Sequence, residues 1–168
     1  MKRHHWFKVQ GTRWAAGFTI IELLVVMAIL GVLAVAVMPL SQTLVVASKE
    51  RELREGLWEI RNAIDEYKRA HDLNAGDQGA TASGYPPTLQ ALVDGLTDER
   101  PAAAGAKRYF LRRIPRDPFA DPALAPEQTW RLRSYASPAD KPMPGADVYD
   151  VRSSSDAVAL DGTSYATW

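Results

Sequence analysis

Glu22 places a carboxylate at the mouth of an apolar stretch. Residues 17 to 22 read GFTIIE, and LLVVMAILGVLAVAVMPL follows directly. Such a group can pair with a cation or snorkel to an interface; left unpaired in hydrocarbon it costs about 2.5–3.5 kcal/mol, and less near the interface. Acid–base catalysis has little to work with. After Gly17 the chain holds one histidine, His71, near an expected helix end, where it serves better as a dipole partner than as a base. The sequence contains no Gly-x-Ser-x-Gly elbow, no Gly-x-Gly-x-x-Gly, no phosphate-binding lysine loop and no His-x-x-x-His. It also lacks cysteine, so neither a disulfide nor a thiolate metal site is available. No enzymatic activity is expected, and the chemistry open to Glu22 is charge neutralisation.

The segment that carries Glu22 is long and apolar. No charged residue occurs between Leu23 and Ser48, and eleven of the eighteen side chains in Leu23–Leu40 are Leu, Ile or Val. At about −0.3 to −0.6 kcal/mol each at a helix centre, these contribute roughly −3 to −7 kcal/mol to insertion. A helix over 18–40 covers roughly 34 Å at about 1.5 Å per residue, enough to cross a bilayer. Residues 1–17 carry Lys2, Arg3, Lys8 and Arg13 and no acid. Positive charge on that side alone predicts a cytoplasmic N-terminus and an extracytoplasmic C-terminal part. An ordinary signal peptide cut near Ala34-Val35-Ala36 competes, but the apolar core is too long for one and Glu22 would go unexplained. The basic leader ends in glycine before the apolar run, which points to cleavage on the cytoplasmic side with the run retained. The chain has 168 residues and formal net charge zero; its 20 basic residues less those four leave 16 against 20 acidic ones. That mild acidity argues against nucleic acid as a partner.

Gly17-Phe18-Thr19, Glu22 and Pro39 within one apolar run resemble the type III signal of the type IV pilin and pseudopilin superfamily. The resemblance implies that a prepilin peptidase cuts between Gly17 and Phe18 and methylates the new Phe18 amine. It also implies that Glu22 meets the Phe18 amine of a neighbouring subunit and that Pro39 introduces a kink or a locally melted turn used in filament packing. A lone subunit is then left with a charge that only assembly satisfies.

Beyond Leu40 the helix is predicted to continue over 41–72. Leu53, Leu57, Ile60, Ile64 and Tyr67 recur at spacings of three and four, with charged residues between them. Pairs such as Glu50–Arg54 and Glu55–Glu59 mix attraction with repulsion, which reads as a solvated face. Residues 73–168 read as a loop-rich domain with a short helix over TLQALVDGL and strands over 107–114, 129–136 and 147–154. The expected class is α+β: a long N-terminal helix packed on a small antiparallel sheet of about three strands. Lys107, Arg108, Arg112, Arg113, Arg116, Arg131 and Arg133 could form a basic patch, or line the wet face of strands and protect an edge.

Tyr85-Pro86 with Leu89-Gln90-Ala91-Leu92, Ile114-Pro115-Arg116-Asp117-Pro118-Phe119, and Tyr149-Asp150-Val151 extend the resemblance to the major pseudopilins of type II secretion. This implies a subunit of a short periplasmic filament that drives protein export. The implied partners are copies of itself, other pseudopilins, prepilin peptidase, an inner-membrane assembly platform and the lipid bilayer. The implied location is the inner membrane, single-pass, with the C-terminal domain periplasmic. A minor pilin of a type IV pilus and a DNA-uptake pseudopilus are the alternatives. Major pseudopilins tie their C-terminal loop to calcium. In SSSDAVALDGTSYATW the resemblance points to Asp156 and Asp161 as ligands, while a plain Asp161-Gly162 turn with Tyr165 and Trp168 buried is the other reading.

Overall fold

The computed structural model describes residues 17–73, 81–98 and 105–168, with the side chains of 36–41 left out. The first helix, α1, spans Ile20–Leu73. The chain divides into two compact units, residues 1–42 and 43–168. In the first unit, every large apolar side chain described between Phe18 and Val35 is exposed, from 47% at Val26 to 83% at Phe18. A helix apolar on all its faces needs lipid or protein around it. Among the described residues no helix is long and apolar enough to cross a membrane. The span expected over 18–40 runs into residues 36–41, whose side chains lie outside the described set.

The second unit is built on the rest of α1. The stripe Leu53, Leu57, Ile60, Ile64 and Tyr67 is buried as its spacing requires, at the centre of one apolar cluster. Ile60→Ala should cost about 2–5 kcal/mol through lost burial and a residual cavity, read as a lower urea midpoint followed by tryptophan fluorescence. Gly56 lies in this part of α1 because a Cβ there would meet the Trp130 ring at 3.3 Å. The Trp130 ring can therefore pack closely against the helix while its Nε1 donates to the Pro115 carbonyl at 2.8 Å.

A short second helix, α2, covers Leu89–Asp94 and buries Leu89 and Leu92. The Thr88 side chain accepts from the Ala91 amide and caps its N-terminus. Gly95 ends it at φ 77°, where a Cβ would also strike the Arg108 carbonyl at 2.6 Å. Strand β1 (Leu96–Asp98) then pairs antiparallel with β2 (Ala106–Arg108), and β3 (Trp130–Arg133) pairs antiparallel with β4 (Asp150–Ser153).

The α+β class stands, but the sheet differs from expectation. Among the described residues, four short strands form two separate two-stranded sheets, where one sheet of about three strands was expected. The strand expected over 107–114 stops at Arg108 because the amides of Phe110 and Leu111 both donate to the Leu92 carbonyl, at 3.1 and 3.0 Å. Leu111 is then buried, and Phe110 packs on Tyr67 with ring centroids 5.3 Å apart. Ladder bonds are given up for two core contacts.

Candidate functional site

At the N-terminal end of α1, Thr19 precedes the first helical residue and its Oγ1 accepts from the Glu22 amide at 3.2 Å. The Leu23 amide donates to the Thr19 carbonyl at 3.1 Å. Thr19 thus caps the helix, a role announced by Thr-x-x-Glu and absent from the expectations above. Capping fixes Glu22 in the first turn, where the positive end of the helix dipole favours a carboxylate. Among the described residues no cation stands within ion-pair distance of Glu22. A Cβ at Gly17 would meet no atom within 4 Å, so its own fold gives no steric reason for glycine there. Pro39 falls within the range of α1, but its side chain, and the kink expected at it, lie outside the described residues. The leader over 1–16 lies outside them as well.

The C-terminal segment is fastened to α1 by charged side chains. Glu50, expected on a solvated face, is buried at 5% exposure. Its Oε1 accepts from the Leu160 amide at 2.7 Å and from the Tyr165 hydroxyl at 3.0 Å. One turn on, Arg54 lies 4.0 Å from Glu50 Oε2 and 3.9 Å from Asp161 Oδ2, with its guanidinium 4.2 Å above the Trp168 ring. Two turns further, Arg61 donates to Asp150 Oδ1 at 2.8 Å, to the Val151 carbonyl at 2.9 Å and to the Trp168 carbonyl at 2.8 Å. Helix positions 50, 54 and 61 thus share one face, and together they hold the C-terminal region, with Arg54 and Arg61 both on Trp168.

Burial, together with the hydrogen bond given to Glu50, pushes the Tyr165 hydroxyl from 10.0 up to about 12. The folded chain therefore holds the proton more tightly than the unfolded one. The associated stability is complete below pH 10 and is lost as pH rises from 10 through about 12. A displacement of this size is worth on the order of 3 kcal/mol, so the urea midpoint should fall steeply in that window and much less in Tyr165→Phe.

The two proposed metal ligands lie apart in function. Asp156 forms a two-pronged pair with Arg131, at 2.7 and 2.9 Å, and this bond holds its carboxyl below the usual range. Asp161 Oδ1 accepts from the Thr163 amide and hydroxyl at 2.9 and 2.6 Å, bonds that likewise lower its carboxyl. The nearby acids are also engaged. Asp150 holds Arg61, and buried Asp147 accepts from Ser83, from Ser134 and from the Tyr135 amide. Among the described residues no three His, Asp or Glu side chains are grouped to hold a metal ion.

The arginines of the basic run are partly spent within the fold. Arg108 pairs with Glu66 at 3.5 Å, and Arg116 donates to the Asp121 and Leu124 carbonyls. Arg131 takes Asp156, and Arg133 reaches the Ser137 carbonyl. Arg131 also sits opposite Arg152 across β3 and β4, a like-charge pairing that Asp156 relieves.

With this geometry in place, the comparisons are specific. The family model for the prokaryotic N-terminal methylation motif matches residues 15–38, which hold Gly17, Phe18 and Glu22 in register. The type II secretion system core protein G of Pseudomonas aeruginosa is 31% identical over 140 residues, covering 80% of this chain and 91% of that protein. This chain belongs to that family, the major pseudopilins of type II secretion. The pseudopilin is similarly 28% identical to the core protein G of Aeromonas hydrophila over 130 residues, covering 74% of this chain and 82% of the relative. The protein of the same name from Klebsiella pneumoniae is 34% identical over 110 residues, covering 61% and 68%. No solved structure matches the pseudopilin. The relatives are named as secretion components and none as an enzyme.

Proposed function

We propose that this pseudopilin is the structural subunit of a short periplasmic filament whose growth drives type II protein secretion. One observation carries the reading: the methylation motif over 15–38 coincides with a capped helix start that holds Glu22 in its first turn. Prepilin peptidase removes residues 1–17 and methylates Phe18. Residues 18–40 anchor the subunit in the inner membrane with the N-terminus cytoplasmic, and 41–72 continue the helix into a periplasmic domain over 73–168. The exposed apolar side chains from Phe18 to Val35 exchange lipid for neighbouring subunits as the filament grows. Glu22 is neutralised by the Phe18 amine of another copy, Pro39 adapts the helix to the packed state, and an inner-membrane platform delivers each subunit.

Chromosomal deletion with plasmid complementation tests the reading. Loss of a type II cargo from the culture medium, restored by the intact gene, is the expected result. Unchanged export alongside a loss of pili or of DNA uptake would transfer the protein to one of the other filament systems.

A further inference from the structure

The C-terminal segment of this chain is closed without any visible need for a cation. Residues 157–165 fold back on themselves: the Tyr165 amide donates to the Ala157 carbonyl at 3.1 Å, the Ala159 amide to the Thr163 carbonyl at 2.8 Å, and the Gly162 amide to the Ala159 carbonyl at 3.0 Å. Three carbonyls of the loop therefore already accept backbone amides. Phe119 stacks on the Tyr165 ring at 4.2 Å, and Trp168 meets its edge at 5.0 Å. That ring ends in a hydroxyl which reaches Glu50 on α1.

Calcium takes six to eight oxygens and needs carboxylates free to turn toward it. Both Asp156 oxygens accept from the Arg131 guanidinium, and a divalent cation beside that guanidinium would be repelled. Asp161 has only Oδ2 without a hydrogen bond, and Arg54 stands 3.9 Å from it. Glu50 spends Oε1 on two donors and has the same Arg54 4.0 Å from Oε2. Each acid of the segment thus has a positive side chain, from α1 or from β3, where a cation would have to bind.

We propose that the C-terminal loop of this chain is locked by an all-protein buckle, with Glu50 of α1 as its catch and Arg54 and Arg131 as its counter-charges, and takes no calcium ion. The family's metal tie is replaced here by the chain's own cations. The inference concerns the folded subunit alone, so it stands or falls separately from cleavage, assembly and secretion.

The test uses the full chain in detergent, with calcium chloride and EGTA as the probes. Thermal unfolding of the unaltered chain should occur within about 1 °C in excess calcium and in EGTA, since an ion bound only to the folded state would raise Tm by several degrees. Hydrogen exchange supplies the positive arm. Glu50→Ala should speed exchange at the Leu160 amide by at least about tenfold, equally in calcium and in EGTA. Tyr165→Phe, which keeps the ring and deletes one donor, gives a milder acceleration should Glu50→Ala fail to fold. A calcium-dependent rise in Tm of roughly 4 °C or more would overturn the proposal. Recovery of Leu160 protection by calcium in either variant, or exchange unaltered in both, would overturn it as well.

Discussion

A chain carrying Glu22→Ala should reach the membrane in normal amount and yet form almost no filaments. Insertion survives because the substitution removes a charge from the edge of an apolar segment and so makes partitioning easier. Assembly fails because the free subunit no longer carries an unsatisfied group that a neighbour's amine can neutralise. If the lone carboxylate costs about 2.5–3.5 kcal/mol in lipid, its loss weakens each subunit addition between roughly 60- and 300-fold. Over many successive additions that is the difference between a filament and none. Sheared-filament yield against membrane-fraction abundance measures it. Normal filaments from the variant would remove Glu22 from the assembly step. The local fold should not change, since Thr19 caps the helix through the backbone amide of residue 22 and not through its side chain.

The second large effect is expected at Arg61. Its guanidinium ties α1 to Asp150, to the Val151 carbonyl of β4 and to the Trp168 carbonyl. Arg61→Met keeps most of the apolar stem and deletes all three donors. Hydrogen bonds to charged groups contribute about 1.5–3 kcal/mol each when buried. Arg61 is 39% exposed, so water offsets part of the loss, and about 2–4 kcal/mol in total is expected. Much of the cost falls on Asp150, which keeps a half-buried charge without its partner. The readout is the urea midpoint at unchanged slope, and a loss below about 0.5 kcal/mol would show that solvent had already carried these bonds.

What the sequence made legible was set by how near in the chain the interacting residues are. The stripe from Leu53 to Tyr67 is a local repeat, and every member is buried where the repeat places it. The short helix inside 88–96 and the strands inside 129–136 and 147–154 follow in the same way from local residue types. Glu50 was misread for the opposite reason. Spacing along the helix offered only Arg54 as its partner, whereas its hydrogen bonds come from Leu160 and Tyr165, 110 and 115 positions away. Arg61 likewise finds its acceptors 89 to 107 positions away. The absence of the 107–114 strand beyond Arg108 has the same origin, since Phe110 and Leu111 bond back to Leu92 of α2. At the N-terminal end the methylation motif over 15–38 is a local pattern, and Thr19 within it is also the cap that positions Glu22.

Mass spectrometry of the mature N-terminus tests the central claim most directly. The chain recovered from membranes should begin at Phe18, with one methyl group on its amine. A product that begins at Met1, or one that starts downstream with the apolar stem gone, would leave Glu22 without the counter-charge on which the account depends.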